Sequence, residues 1–334
     1  MQSQIKHRFL SAITISVVLS LSLSQPSSLH AEKMEDRTSP RNPRFRIEVF
    51  GGYTGLNPSD LNQIVNYDIS MQTFQYDSYF DYLQENELIQ HWDKWDEGKR
   101  RKITNAFPFG IRFRYDISNF LSLTAGFQYF QKINSESIDF HYSRYELYNE
   151  DTTEILNYDP YELSVEAIRP FIGIHFCTHL GGKKNLEGFI SGGPVFGRVS
   201  YTSNWHYTWQ IQTYGWLVHE KFGLLKEKGS GTGISLELGG RMTVPLFWKL
   251  DMFLEGAYTY QKIKPLAGPG EEIQEGITET WSEEWKIREE TVTAPWGTLI
   301  IEFPTNYRME GAAVREFNLD LSGLSLRIGF SFRF

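Results

Sequence analysis

Apolar and polar residues alternate one by one in several segments of the chain. In the segment 324–334 every second residue is Leu, Ile or Phe, and the residues between them are Ser, Gly or Arg. A period of two places the two sets of side chains on opposite faces of a strand, whereas a helix needs a period near 3.6. The segments 107–117, 233–246 and 250–261 repeat the pattern. The alternation therefore predicts an all-β fold.

Four weaker segments raise the predicted strand number to eight. They lie at 45–53, 121–130, 168–177 and 189–199. In the third of them the alternation slips near Ala167, which predicts a β-bulge. Hairpins hidden in the first and last long connections would instead give ten or twelve strands.

The connections between these eight segments are alternately short and long. The short ones lie near 118–119, 181–185 and 247–249. The long ones lie at about 57–104, 134–160, 201–230 and 264–320. This layout predicts an antiparallel up-and-down transmembrane β-barrel with tight turns on one side of the membrane and long extracellular loops on the other. Soluble sandwiches and lipocalins also alternate, but they seldom place every long loop at one end.

The first residues have the layout of a secretory signal. Lys6, His7 and Arg8 precede an uncharged stretch of apolar residues, Ser and Thr at 9–23, and small residues follow up to Ala31. We therefore predict a signal peptide at 1–31, a periplasmic lead-in at 32–43 and the barrel at 44–334. The expected location is the outer membrane of a bacterium.

Composition excludes several other classes of protein. With 40% apolar residues and a mean hydropathy of −0.39, the chain lacks the long apolar runs of a helical membrane bundle. A single Cys cannot form a disulfide within its own chain. A net charge of −8 with no long basic run argues against nucleic-acid binding.

The signal sequence, the eight strands, the one-sided loops and the terminal Phe334 resemble small outer-membrane barrels of the OmpA, OmpX and OmpW type. The resemblance covers the strands, about a third of the chain. It implies that Phe330, Phe332 and Phe334 form the signal read by the outer-membrane assembly machinery. The expected partners are that machinery, outer-membrane lipid and lipopolysaccharide, while an extracellular ligand stays unidentified.

The face of each strand opposite the apolar one carries charged residues. An eight-stranded barrel is barely wide enough for its own side chains, so these charges must pair across the lumen or be hydrated. We predict a rigid salt-bridged plug, with a narrow gated pore as the alternative. The predicted network comprises Glu48, Arg112, Arg114, Asp116, Glu237, Arg241, Glu255 and Arg327, and the same face is expected to hold His175, Arg198 and Arg333.

The long connections are acidic and rich in Trp. They hold 30 acidic and 14 basic residues and eight of the nine Trp. The arms 138–148 and 154–165 are predicted to continue two strands above the membrane, and a short helix is predicted within 79–95. A folded extracellular cap is therefore expected. Its Trp residues form either a small core or a recognition surface, for which the candidates are Trp92, Trp95, Trp205, Trp209, Trp281 and Trp285.

The sequence carries no signature of catalysis. His175 is interpreted as a side chain of the lumen and His179 lies beside a short turn, and the acidic clusters lack the spacing of a calcium loop, so we predict no catalytic residue, no metal and no cofactor. The predicted role is a non-enzymatic scaffold that presents loops for surface interaction or envelope integrity. The alternatives are an uptake route for small hydrophobic molecules, as the OmpW resemblance implies, and a hydrolase built on the loops. A lumen open toward lipid would favour uptake, and converging His and carboxylate groups would favour an enzyme.

Overall fold

The computed structural model describes residues 44–87, 89–97, 102–146, 152–179, 185–211, 216–247, 249–305 and 313–334. The predicted signal peptide at 1–31 and the lead-in at 32–43 lie outside these residues. Within them, no helix is long and apolar enough to cross a membrane.

Strands dominate the described residues, with two α-helices and one turn of π-helix at Thr73–Asp77 between them. In chain order the elements are β1 (Arg44–Gly55), α1 (Gln63–Gln72), α2 (Ser78–Glu85), β2 (Ile89–Glu97), β3 (Asn105–Ala106), β4 (Phe109–Asp116), β5 (Leu121–Glu146), β6 (Thr152–His179), β7 (Asn185–Ile211), β8 (Trp216–Phe247), β9 (Leu250–Gln274), β10 (Ile277–Glu284), β11 (Lys286–Ala294), β12 (Gly297–Thr305), β13 (Ala313–Glu316), β14 (Leu319–Asp320) and β15 (Gly323–Arg333).

Eight of the described strands close a ring. Each pairs antiparallel with its two neighbours in the order β1, β4, β5, β6, β7, β8, β9 and β15, and β15 returns to β1. Strands that are neighbours in the ring are also consecutive along the chain, apart from the short elements that are inserted between some of them. The fold is therefore an up-and-down barrel. The predicted number of eight strands is confirmed.

The ring strands are very unequal in length. The five strands β5 to β9 contain 25 to 32 residues, whereas β1, β4 and β15 contain 8 to 12. Crossing a membrane takes only about 9–11 residues of strand. The five long strands therefore rise well above the membrane as one curved wall, which β2 extends beside β5 and β10 extends beside β9.

This wall changes the interpretation of two predicted loops. The connection at 134–160 is mostly strand, in agreement with the predicted arms. The connection at 201–230 was predicted to be a loop, and that prediction is wrong, because β7 continues to Ile211 and β8 begins at Trp216. Its alternation is weak because both faces of the wall above the membrane meet water or other protein, so polarity no longer distinguishes them.

Within the membrane-spanning part, the outward side chains are apolar and the inward ones are polar. The inward positions of β4, Arg112 and Arg114, are buried, whereas the outward Phe113 and Tyr115 are exposed. The C-terminal strand β15 likewise has buried polar side chains and exposed apolar ones, which is the reverse of the arrangement in a soluble protein. A closed sheet with this polarity satisfies its backbone internally and offers lipid an apolar surface, as a transmembrane barrel requires.

No bulge occurs at Ala167, so that prediction is wrong. The register of β6 against β5 is unbroken from Leu121–Phe176 to Tyr145–Thr152. The apparent slip arises because the inward positions of β6 change from polar to apolar above Arg169, at Leu163, Val165 and Ala167. These three side chains leave the charged lumen and enter the core of the cap.

The cap packs on the inward side of the wall. It consists of α1, α2 and the small sheet of β12, β11 and β13. Its core joins residues of four ring strands to residues of the first and last long connections, and its members include Leu61, Ile64, Val65, Ile103, Leu163, Val199, Ile263, Trp285, Ile287 and Phe317. The short helix predicted within 79–95 is α2, and the cap is a folded unit directly above the lumen.

Candidate functional site

The lumen contains a continuous network of buried ion pairs, which we name the luminal network. Every member is 3% exposed or less. The members are Glu48, Glu187, Glu237 and Glu255 with Arg112, Arg114, Arg169, Arg241 and Arg327. Five guanidinium groups thus share four carboxylates in a space that solvent does not reach.

Glu48 on β1 lies in the middle of this chain of contacts, because Arg241 also approaches Glu187 to 3.9 Å and Glu187 contacts Arg114 at 2.5 Å. Its Oε1 and Oε2 accept hydrogen bonds from Arg241 Nη2 at 2.9 Å and Nη1 at 2.7 Å. Arg112 contacts Glu48 at 3.3 Å and also donates two hydrogen bonds to Glu255, at 2.8 and 3.1 Å. Arg112 therefore links the two glutamates.

The contacts continue to the other side of the barrel. Arg327 bridges Glu255 and Glu237, and Arg169 donates to Glu237 at 2.6 Å. Because each carboxylate here has at least two cationic partners, the desolvation cost of one charge is offset by several neighbours.

A second, partly buried group of charges lies at the end of the lumen near the short turns. Asp116 accepts hydrogen bonds from Arg114 Nε and Arg46 Nε, both at 2.8 Å. Asp251 accepts from Arg46 at 3.3 Å and from Arg333 at 2.9 Å. Arg114 thus joins this group to the luminal network.

Aromatic rings fill the space between the charged groups. The Arg241 guanidinium lies 3.8 Å from the centre of the Phe253 ring, and Arg112 lies 5.1 Å from that of Phe50. The Phe253 ring occupies the place where a Cβ on Gly329 would lie. Rings over glycines stiffen a curved sheet, and their faces attract the guanidinium groups.

The structure places all eight predicted members of the network inside the barrel, with Asp116 in the group near the turns. It also brings in Arg169 and Glu187, which sequence reasoning missed. Glu187 lies near the start of β7, close to the short turn and before the segment 189–199 that showed alternation. Arg169 lies beside the apparent slip. A strict count of every second residue back from Phe171 and Phe189 would have found both.

One predicted luminal residue is on the wrong face. Arg198 is 69% exposed on the outside of the barrel, where it lies 4.0 Å from Glu166. It belongs to the part of β7 above the apolar belt, where charged side chains can face water. His175 is inside, with Nδ1 3.2 Å from Glu187.

The lumen is sealed at the level where the network meets the cap. A small cavity of about 10 Å³ lies there between Gln128, Arg169, Gln261 and the apolar residues Phe130 and Leu321. That volume holds about one water molecule. Above it lies the apolar core of the cap.

The Trp residues proposed for recognition have different surroundings. Trp285 is 2% exposed in the cap core, where its Nε1 donates to Lys228 O at 3.0 Å and its ring packs on Phe317. Its proposal as a recognition residue is therefore wrong, because no ligand can reach the ring. Trp92, Trp205 and Trp281 are half-buried. The side chains of Trp95 and Trp209 lie outside what the structure describes.

Polar contacts hold the cap together. Arg315 donates to both oxygens of Asp60, at 2.8 and 2.9 Å, and so ties the first long connection to the last. Tyr67 on α1 donates to Glu290 on β11 at 2.6 Å. Burial raises the pKa of Tyr67, and the bond to the Glu290 carboxylate raises it further.

The β9–β10 hairpin concentrates negative charge at the edge of the wall. Glu272 and Glu279 face each other across the two strands. Partial burial raises the pKa of Glu272, and the facing Glu279 adds to the effect. Like charges in direct cross-strand contact destabilise a sheet, so this acidity works against local stability.

The described residues contain no cluster of three or more His, Cys, Asp or Glu that could hold a metal ion. His206 and Glu220 approach each other to 2.7 Å on the exposed β7–β8 hairpin. A pair of this kind lacks the nucleophile that a catalytic triad would need.

Cys177 is partly buried and accepts a hydrogen bond from Arg114 at 3.0 Å.

The three aromatic residues of the predicted assembly signal point outward. Phe330, Phe332 and Phe334 are all exposed on the apolar surface. The backbone N–H of Phe334 donates to Phe45 O at 3.0 Å, so the last residue is tied to the first strand. Recognition by the assembly machinery stays a prediction.

Comparisons with known proteins identify no family. No family model matches the sequence, and no curated protein sequence is significantly similar to it. Among solved structures, Ail, the attachment invasion locus protein of Yersinia pestis in complex with the heparin analogue sucrose octasulfate, is similar at 10% identity with a TM-score of 0.33. That match covers 87% of this chain and 99% of Ail.

Two further structures are similar at the same level. A major outer membrane protein from Thermus thermophilus has 11% identity and a TM-score of 0.31, covering 88% of this chain and all of the other. An outer membrane channel from Pseudomonas putida has 8% identity and a TM-score of 0.20, covering 91% of this chain and all of the other. These two are named as outer-membrane proteins. Scores this low carry no argument, and the barrel is established by the strand pairings of the chain itself.

Proposed function

We propose that this protein is a sealed outer-membrane barrel that anchors a rigid, acidic cap for contact with a partner outside the cell. The observation that carries the proposal is the closure of the lumen. The luminal network fills the membrane-spanning part, the cap core covers it, and the small cavity between them is about 10 Å³. A pore for solutes would need a continuous water-filled or apolar path.

The network also explains how a small barrel can carry so large a cap. Charges that pair across the lumen connect strands that are not neighbours, so the ring resists shear. The five long strands run without interruption from this braced ring into the wall of the cap. Movements of the cap relative to the barrel are therefore restricted by the sheet itself.

The charge of the cap indicates the chemistry of the partner. The long connections have a net charge of −16, and the β9–β10 hairpin exposes Glu275, Glu279, Glu283 and Glu284 at the edge of the wall. Complementary charge raises the rate of association and selects partners. The partner that fits is a cationic protein surface, and binding is expected to weaken as salt increases.

Planar-bilayer recordings of the purified full-length protein test the closure of the lumen. We expect no stable conductance steps. The double variant Glu237→Gln, Glu255→Gln, which removes two of the four network carboxylates, serves as a comparison because it loosens the network. Large, stable steps from the unmodified protein would contradict the proposal and favour the narrow-channel alternative.

The partner is tested separately with the protein in vesicles. Association with surfaces coated in poly-lysine is compared between the unmodified protein and a variant with Glu275, Glu279, Glu283 and Glu284 replaced by Gln. We expect the unmodified protein to bind at low salt and the variant to bind at least tenfold less. Equal binding by both would show that the hairpin is not the contact surface.

A further inference from the structure

The outer surface of the barrel has a hollow in the middle of its apolar belt. The hollow has a volume of about 670 Å³ and lies across β4 to β8, with Phe45 of β1 also in its lining. Its outward-facing lining residues are apolar. The polar residues Arg114, Thr124 and Ser191 border it only through their backbone side, because their side chains are buried in the lumen.

The hollow arises from one row of outward residues across the sheet. Cross-strand pairs place Phe113 beside Ala125, Ala125 beside Ile172, Ile172 beside Gly192 and Gly192 beside Leu236. Large and small side chains alternate along this row. Ile172 therefore stands as a ridge between two gaps and is 72% exposed.

The row nearer the short turns borders the hollow, and four of its residues line it. The row nearer the short turns contains only large residues: Tyr115, Leu123, Ile174, Ile190 and Leu238. The row on the other side contains Phe127, Pro170, Pro194 and Ile234. None of these four residues lines the hollow, so the depression is bounded on the side of the short turns.

The regular pairing of β6 with β7 is interrupted in the row next to this depression, and we name the interruption the Pro170–Pro194 seam. In the register of β6 against β7, Pro170 falls opposite Pro194. Neither residue has a backbone N–H to donate. The regular pairing stops at Ile168–Phe196 and resumes at Ile172–Gly192, which is the gap expected from two missing donors.

We propose that this hollow binds one acyl chain of a membrane phospholipid. The hollow is continuous with an apolar belt that faces hydrocarbon on every side of the barrel, so acyl chains are its immediate surroundings. A second barrel is a poorer occupant, because association within lipid relies on close packing and hydrogen bonds, and the Tyr115 hydroxyl is the one polar side-chain group among the outward lining residues. The chain fills the two gaps beside Ile172, where the surface would otherwise lose van der Waals contact.

Filling the hollow from the protein side tests the proposal. Ala125 faces outward at its floor, so Ala125→Phe occupies the space of the acyl chain. The matched control is Gly256→Phe on β9, on the opposite side of the ring, where an added Cβ has no heavy atom within 4 Å. Both variants add the same ring to the same belt, and only one of them fills the hollow.

The measurement is native mass spectrometry of the refolded full-length protein in detergent with added dimyristoylphosphatidylcholine. We expect the unmodified protein and Gly256→Phe to retain one lipid molecule, and Ala125→Phe to lose this species at least tenfold. Heat-modifiable mobility on gels checks folding, and Ala125→Leu provides a milder filling should the Phe variant not fold. Retention of no lipid by the unmodified protein, equal retention by the two Phe variants, or a lipid-free dimer of barrels would overturn the proposal.

Discussion

Arg241 on β8 donates hydrogen bonds to both carboxylate oxygens of Glu48 on β1, at 2.7 and 2.9 Å, across the lumen of the barrel. The two residues lie 193 positions apart in the chain, and two ring strands, β9 and β15, separate their strands. Backbone pairing between neighbouring strands cannot create such a contact. It forms only when the ring closes, so closure and burial of the charges occur together.

Removing Glu48 is expected to destabilise the barrel strongly. Glu48→Ala leaves Arg241 and Arg112 buried without one of their carboxylates, and breaking a buried ion pair costs about 3–5 kcal/mol. Urea unfolding in detergent micelles, followed on gels by the loss of heat-modifiable mobility, measures the change. The control is Glu166→Ala, which removes an exposed pair 4.0 Å long and should change stability by about 0–1 kcal/mol. Equal losses in the two variants would show that the luminal network does not stabilise the barrel.

Arg169 is expected to hold the seam between β6 and β7 from the inside. It lies next to Pro170 and donates to Ser191 on β7 at 2.8 Å and to Ser235 on β8 at 2.9 Å. These two hydrogen bonds link β6 to β7 and β8 at the level where Pro170 and Pro194 have no backbone N–H to donate. Arg169→Ala should therefore speed hydrogen exchange around the seam more than in the rest of β6 and β7.

Two variants make this prediction specific. Arg169→Lys should not restore protection, because one ammonium group cannot reproduce the fork of a guanidinium. Arg198→Ala, on the outer face of β7, should leave the exchange rates unchanged. Unaltered hydrogen exchange at the seam in Arg169→Ala would show that lipid-facing contacts or the remaining backbone hydrogen bonds between β6 and β7 hold the seam closed.

Trp285 is expected to stabilise the cap without affecting the barrel. Its ring is buried against Phe317, and truncation of a buried Trp costs about 3–5 kcal/mol. Trp285→Ala should expose β10 to β12 to limited proteolysis while the barrel keeps its heat-modifiable mobility. Trp281→Ala, which truncates a half-buried ring, should have a smaller effect. Loss of the folded barrel in Trp285→Ala would mean that cap and barrel unfold as one unit.

The pair of Asp60 and Arg315 is expected to act as a latch between the first and last long connections. Asp60 also accepts the backbone N–H of Asn318 at 2.9 Å. Asp60→Ala removes all three acceptor contacts and should raise the rate of proteolysis in α1 and α2. Glu316→Gln alters an exposed side chain beside Lys264 and should leave that rate unchanged. A similar rate in both variants would exclude the latch.

The bond between Tyr67 and Glu290 predicts an alkaline limit to cap stability. The pKa of Tyr67 is raised in the folded protein from its usual value of 10.0, so the folded state keeps the hydroxyl proton longer than the unfolded state. The stabilising contribution is therefore complete below pH 10 and is lost as the pH rises toward the folded pKa. Tyr67→Phe should cost the cap about 1.5–3 kcal/mol near neutral pH, since the acceptor is charged.

A double-mutant cycle with Glu290→Gln isolates this interaction. Hydrogen exchange of α1 measures the local stability of each variant as a function of pH. We expect a coupling between the two residues near neutral pH that declines above pH 10. A coupling that is absent, or that grows with pH, would contradict the assigned proton position.

Much of the barrel follows from the sequence alone. The alternation at 107–117 and 324–334 fixes two strands and their lipid-facing sides, because a period of two leaves one choice of face. The strict sequence of short and long connections fixes the up-and-down order. The inward charges, from Glu48 to Arg327, could be assigned to the lumen, since the other face of each strand had to meet lipid.

Only the tertiary structure decided which charged residues pair and at which level of the barrel the inward side chains change from polar to apolar. Arg241 could pair with any carboxylate on the same inner surface, and ring closure selects Glu48. Above the membrane the sheet continues but water replaces lipid, so Arg198 faces outward and Val165 inward, and the alternation alone could not locate that boundary. The hollow beside Ile172 has the same origin, because Ala125 and Gly192 become neighbours of one ridge only through the register of three strands.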